Sequence, residues 1–368
     1  MQVPVNRPII NKKDIDSVAA TLNEGWVSSE GPVVSEFESK FAKTVHHKFG
    51  VAVSSGTAAL EIAIKALGVG SGDEVIVPTG TIISCAQAIT KLGATPIFVD
   101  LKFPEFVMDM SEVEEKITKY TKAILVVHLY GNASNSKKAR SLSDAHGLYL
   151  IEDCAQAIGL NCYDHICGSY ADISTFSFYS NKLITTGEGG MIVTSIPWIK
   201  NKCQSYRNLS FSAEKRFVHE ELSWNYRMSS LQAAMGTSQV SEISARLELK
   251  RKIANTYSAA FKDIDKLTLP VPHIETGQNG YWAYTLVLKD DYSDDAKDFC
   301  NKLREKGIGT RPLFFPVHKQ PVYSDKKAYR EEYHISERLY KQGFYIPCGL
   351  GITSFEQEYV IDTIIKLI

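Results

Sequence analysis

Apolar residues along this chain fall into two alternating patterns. The first is a short run that is apolar at nearly every position: "FGVAVSSG" (49–56), "DEVIVP" (73–78), "TPIFVDL" (95–101), "AILVVHLYG" (123–131) and "LYLIEDCAQ" (148–156). Runs of that length and uniformity predict strands buried on both faces. The second is a helical spacing of apolar positions in "TAALEIAIKALG" (57–68), "TIISCAQAITKLG" (81–93) and "SKKARSLSDAHG" (136–147), each ending in glycine. Strand and helix in alternation predict a mainly parallel sheet with helices on both faces.

The pattern changes after Met228. A long helical stretch covers "SSLQAAMGTSQVSEISARLELKRKIANTYSAAF" (229–261). Beyond it, "YWAYTLVLKDD", "DDAKDFCNKLREKG", "IGTRPLFF" and "SFEQEYVIDTIIKLI" form a smaller alternation of strands and helices. The expectation is an α/β chain with a large domain over 1–250 and a smaller C-terminal α+β domain over 251–368, joined through the long helix. "GVGSGD" (68–73) is not a dinucleotide fingerprint, because its glycines precede a strand and Asp73 takes the place of the third glycine. It reads as a helix stop followed by a turn.

Composition narrows the function. Lys plus Arg number 41 against 42 Asp plus Glu, with no basic block, which argues against a nucleic-acid partner and for a small ligand. The opening "MQVPVNRPIINKKD" lacks the apolar core of a signal peptide, and no stretch approaches ~18 apolar residues, so a cytoplasmic chain without a membrane partner is expected. Seven scattered cysteines without a CxxC pair fit reduced thiols. "CYDHIC" (162–167) has metal-ligating residue types but the form of a hairpin, and no metal is expected.

Candidate chemistry gathers where the strands end, the edge at which open α/β sheets bind ligands. In "SSGTAAL", Gly56 and Thr57 open a helix directly after a strand, and their N–H groups with the helix dipole suit a phosphate. In "IEDCAQA", Asp153 ends a strand and Gln156 follows; the carboxylate either caps the next helix or keeps a ring nitrogen protonated. In "TFSFYSNKLITTGEGG" (175–190), Lys182 stands before a glycine-rich turn, five residues after Ser177. It is either a solvated charge at the end of a strand or an amine held for a carbonyl compound.

Phosphate cradle, carboxylate and lysine, in that order, resemble a fold-type I pyridoxal-phosphate enzyme. "SSGTAAL", "GDEVIVPT", "GATPIFVD", "IEDCAQA", "STFSFYSNKLITTGEGGMIVT", "NYRMSSLQAAMG" and "RPLFFPVH" are similar to the aminotransferases that act on nucleotide-linked 4-keto-6-deoxyhexoses, most of all to perosamine synthases. The resemblance runs from "GWVSSEGP" (25–32) to "GFYIPCG" (343–349). It implies pyridoxal 5'-phosphate attached to Lys182, the amine that also shuttles the proton during transfer. Asp153 would hold the ring nitrogen and Gln156 the phenolate oxygen. Gly56, Thr57 and Ser177 would hold the phosphate, joined by Asn225 from a second subunit, so that a homodimer shares its sites. Trp26, Ser28, Ser29, Arg227 and His318 are the implied sugar-nucleotide contacts, and glutamate the implied amino donor.

Two positions depart from the resemblance. Ile82 stands where an aromatic residue usually stacks on the cofactor ring, which loses about 1 kcal/mol of stacking, and Ile158 stands where relatives often carry histidine. The competing readings are amino transfer to C3 or to another keto-sugar nucleotide, and a cofactor-dependent sugar dehydratase, which carries histidine in place of the lysine. A non-enzymatic regulator on the same scaffold would show decay at Lys182, Asp153 or Gln156, and all three are present.

Overall fold

The computed structural model describes residues 1–211, 217–324 and 331–368. Seven strands form its main sheet: β1 (Phe49–Val53), β2 (Glu74–Pro78), β3 (Thr95–Val99), β4 (Thr121–Val127), β5 (Tyr149–Asp153), β6 (Ile173–Ser177) and β7 (Gly190–Thr194). Their order is β1-β7-β6-β5-β4-β2-β3. β7 runs antiparallel to both its neighbours, and the other pairings are parallel. The mainly parallel sheet read from the apolar runs is therefore present, with one reversed strand.

Strand periodicity sorts the side chains between two faces. Val75, Val77, Leu125 and Val127 pack on one face with Ile62 and Ile64 of the helix Gly56–Ala66, while Ile76, Ile124 and Val126 pack on the other with Ala139 and Leu142. Here the helices are numbered α1 (Lys12–Asn23), α2 (Pro32–Thr44), α3 (Gly56–Ala66) and α4 (Ile83–Lys91). Each fully buried aliphatic side chain in such a core contributes about 1.5–3 kcal/mol. α3 starts where the Ser55 hydroxyl accepts the Ala58 N–H at 3.1 Å. Gly68 follows its last turn with φ +73°, a left-handed conformation that suits glycine. α1 and α2 were not legible in the apolar pattern, although Asn11 and Asp14 form a capping box and Pro32 occupies the first turn of α2.

The long helical stretch 229–261 is broken. It forms the helices Ser230–Gln239 and Ile243–Phe261, separated by a 3-10 turn at Val240–Glu242. At the break the buried Gln239 turns its Oε1 to the Thr185 N–H and the Arg246 guanidinium, both at 3.0 Å, tying the turn to the loop after β6. "CYDHIC" is a hairpin in which Asn161–Cys162 pairs with His165–Ile166.

A second, antiparallel sheet consists of Leu267–Thr268, Tyr284–Leu288, Gly343–Ile346 and Arg311–Pro312, in that spatial order. Its core includes Phe299, Phe344 and Val360, and also Val3 and Ile253. The N-terminal segment lies against this part of the molecule, with Val3 bonded to Gly307 and Gly309 and Arg7 paired with Glu356 at 2.7 Å. Residue 250 lies within the Ile243–Phe261 helix. Among the described residues, no helix is long and apolar enough to cross a membrane.

Candidate active site

The carboxyl ends of β1, β5 and β6 open on a cavity of about 340 Å³. The start of α3 forms one wall with Ser55, Gly56 and Thr57. Space there is set by glycine: a Cβ on Gly56 would lie 2.8 Å from the Ser177 Cβ, and one on Gly190 would lie 2.4 Å from the Ser55 carbonyl oxygen. The first turn of α3 thus presents unpaired N–H groups and the positive end of its dipole beside the Ser177 hydroxyl. The donor set and the cradle fit a phosphate.

The same cavity carries titratable groups. Asp153 ends β5 and is buried. Its Oδ1 accepts the Ala155 N–H at 3.0 Å and its Oδ2 accepts the Cys85 thiol at 3.2 Å. Gln156 accepts the Tyr130 N–H on Oε1 at 2.6 Å, so its NH2 group is the end left for a ligand oxygen. Lys182 sits in the turn after β6, its N–H bonded to the Tyr179 carbonyl at 2.9 Å. Burial lowers its pKa from 10.5 to about 8, against the opposing pull of Asp153. An amine with that pKa is substantially neutral near pH 8 and can attack a carbonyl. Phosphate cradle, carboxylate, carboxamide donor and lysine face one volume, and the residues fit pyridoxal phosphate.

A model of the DegT/DnrJ/EryC1/StrS aminotransferase family matches residues 8–365. The chain belongs to that aminotransferase family. It is 36% identical to the GDP-perosamine synthase of Escherichia coli O157:H7 over 98% of this chain and 97% of that protein. It is 35% identical to the GDP-perosamine synthase of Vibrio cholerae, over 98% of each. The solved Escherichia coli GDP-4-keto-6-deoxy-D-mannose-3-dehydratase with bound hydrated pyridoxal phosphate shares the fold, with a TM-score of 0.88 at 24% identity over 99% of each chain. This aminotransferase has the fold-type I architecture and uses pyridoxal phosphate.

The aminotransferase cavity brings together Gly56, Thr57, Asp153, Gln156, Ser177 and Lys182, with Ile82 also lining it. Four aromatic residues missed in the sequence complete it: Tyr179, Trp282, Phe314 and Tyr345. The Lys182 Nζ lies 4.4 Å from the Trp282 ring centroid, and the Trp282 indole N–H donates to the Asn181 carbonyl at 3.1 Å. "GYWAYTLVL" carried a strand signal only, so nothing in it marked Trp282. Asn181 also lines the cavity, and its side-chain oxygen is buried without a partner.

The expected sugar-nucleotide residues do not line this chain's cavity. Ser29 and Arg227 share a separate recess of about 330 Å³, where the Arg227 guanidinium donates to the Asn208 side chain. Trp26 is exposed, and the Ser28 carbonyl accepts the Ser230 N–H and hydroxyl. Asn225 is exposed too, its backbone paired with Asn208. His318 departs furthest from expectation. It is buried, with Nδ1 bonded to the Thr79 hydroxyl at 2.7 Å and Nε2 to Glu337 at 3.0 Å. Both ring nitrogens are engaged, and in this arrangement His318 holds the end of β2 to the helix His334–Gln342.

His128, which lines the cavity, lies close enough to Glu152 and Cys154 for the three to hold a metal ion. Hydrogen bonds occupy His128 and Glu152 instead. The His128 Nδ1 accepts the Ser134 N–H at 3.0 Å and its Nε2 is bonded to Glu152 at 3.1 Å. The other Glu152 oxygen accepts the Tyr170 and Ala171 N–H groups, each at 3.2 Å, and burial pushes the Cys154 thiol well above its ordinary pKa. A buried polar group satisfied this fully is structural.

Proposed function

We propose that this chain transfers the amino group of glutamate to C4 of a nucleotide-linked 4-keto-6-deoxyhexose, as a perosamine synthase of the cytoplasm working as a homodimer with shared sites. The observation that carries the reading is Lys182 in one cavity with Asp153, Gln156 and the α3 cradle, in a chain similar from end to end to GDP-perosamine synthases. When bound, pyridoxal phosphate supplies an electron sink through which an amino group moves on and off a carbonyl carbon.

The residues supply the rest. Lys182, about half unprotonated at pH 8, is the attachment point and, once displaced, the base that carries a proton across the reacting face. Asp153 is the anion that keeps the ring nitrogen protonated. Gln156 donates from its free NH2 group. Gly56 and Thr57 N–H groups with the Ser177 hydroxyl hold the phosphate, and Asn225 reaches it from the partner subunit. The dehydratase reading is not favoured: it calls for histidine where this chain has Lys182, whose amine can form and release the covalent link as imidazole cannot.

Nitrogen-15 glutamate, incubated with the holoenzyme and a GDP-linked 4-keto-6-deoxyhexose, tests the proposal by mass spectrometry of the product. The expected product is an amino sugar carrying the heavy nitrogen at C4. A deoxygenated keto sugar without nitrogen would replace transfer with dehydration. Heavy nitrogen on the UDP- or dTDP-linked sugars, and none on the GDP sugar, would keep the reaction and move the nucleotide.

A further inference from the structure

The carboxylate that faces the cofactor has one oxygen held by main chain and the other by a side chain alone. Asp153 Oδ1 takes the Ala155 N–H, a contact that any residue at position 155 except proline would supply. Oδ2 takes the thiol of Cys85, 68 positions earlier in the sequence, at 3.2 Å. Cys85 lies in the first turns of α4, the helix whose N-cap, Ile82, lines the cavity. Cys85 is fully buried, and the Thr81 hydroxyl approaches its sulfur at 3.8 Å. Burial and the neighbouring carboxylate both push this thiol well above its ordinary pKa, so it keeps its proton and acts as a donor.

We propose that Cys85 is a positioning residue for catalysis: its S–H bond fixes the rotation of the Asp153 carboxylate and withdraws part of its charge, setting how strongly Asp153 holds the proton of the cofactor's ring nitrogen. The proposal rests on the assignment of Asp153 to that nitrogen. It adds a tuning element from α4, outside every motif that marks the cofactor site. A thiol is a weak donor, so it orients the carboxylate while leaving most of its negative charge for the ring. Removing it leaves Oδ2 without that donor, which frees the carboxylate to rotate and concentrates its charge. The nearby protonated form of the lysine-bound cofactor is then favoured, and the pKa of the holoenzyme's visible band rises by about half a unit.

Two measurements decide it. Infrared spectra of apo wild type minus apo Cys85→Ala isolate one S–H stretch among the seven cysteines. That band is expected at lower frequency than a free thiol, moving back toward the free value in Asp153→Asn. Spectrophotometric pH titration of the holoenzymes, with pyridoxal phosphate Kd values, is expected to show the upward shift and two- to fivefold weaker binding in Cys85→Ala. Cys85→Ser, which restores a donor, should return both toward wild type. An unshifted S–H band, or a titration identical in wild type, Cys85→Ala and Cys85→Ser, overturns the role of Cys85. If Asp153→Asn itself leaves titration and Kd unchanged, the assignment of Asp153 fails, and the proposal with it.

Discussion

At Lys182 two influences on one amine oppose each other. Removal from water disfavours the ammonium, Asp153 favours it, and the balance is a pKa of about 8 instead of 10.5. Attachment of a carbonyl compound needs the free amine, so the rate at which apoenzyme acquires the visible band with pyridoxal phosphate should rise with pH to a midpoint near 8. In Asp153→Asn, where the opposing attraction is gone, the midpoint should fall further; a midpoint near 10.5 in wild type would mean that the amine is solvated. The same shift bears on stability. Between about pH 8 and 10.5 the unfolded lysine still holds a proton that the folded one has lost, so this group makes the apoenzyme more stable as pH rises through that window. Lys182, Asp153 and Gly56 were legible in the sequence because each sits in a short contiguous word ending a strand. Cys85 and Trp282 were not. The contacts that give them meaning span 68 and 101 positions, and no local pattern encodes such a pairing.

Among the elements, the start of α3 is the place where backbone alone does the binding, and glycine makes room for it. Gly56 is the first residue of the helix and its φ is not positive, so alanine there suits the backbone and only its Cβ matters. That atom would lie 2.8 Å from the Ser177 Cβ and 3.2 Å from its Oγ, between two segments anchored in the sheet. Gly56→Ala should therefore push the α3 turn and the Ser177 hydroxyl apart, at about 1–3 kcal/mol of overpacking. Cofactor affinity is expected to drop at least tenfold while the protein stays folded. Titration with pyridoxal phosphate and a thermal melt separate the two effects, and wild-type affinity would show that phosphate is held elsewhere. The α3 junction was readable from the sequence because a serine cap, a glycine and an apolar run are adjacent there. The break at Val240–Glu242 was not, since it depends on Gln239 being drawn to Thr185.

For the whole molecule, the residues assigned to substrate and phosphate fall into two groups that one chain does not bring together. Gly56, Thr57 and Ser177 line the cavity beside Lys182 and Asp153; Asn225 is exposed, and Ser29 and Arg227 line a different recess. Just before Asn225 the chain leaves Phe217, Val218 and Leu222 more than half exposed, apolar surface that a second copy would cover. In a two-fold dimer with shared sites, each cavity would take its lysine from one chain and its Asn225 from the other. Mixing Lys182→Ala chains with Asn225→Ala chains then gives heterodimers with one doubly defective site and one intact site. Random reassortment of equal amounts makes half the dimers mixed, so about a quarter of all sites should be restored, and activity should rise to about a quarter of wild type. The measurement is amino transfer after unfolding and refolding the mixture, compared with each parent treated alike. Were Asn225 to serve its own chain, every site in the mixture would lack either the lysine or the asparagine, and activity would stay at the average of the parents.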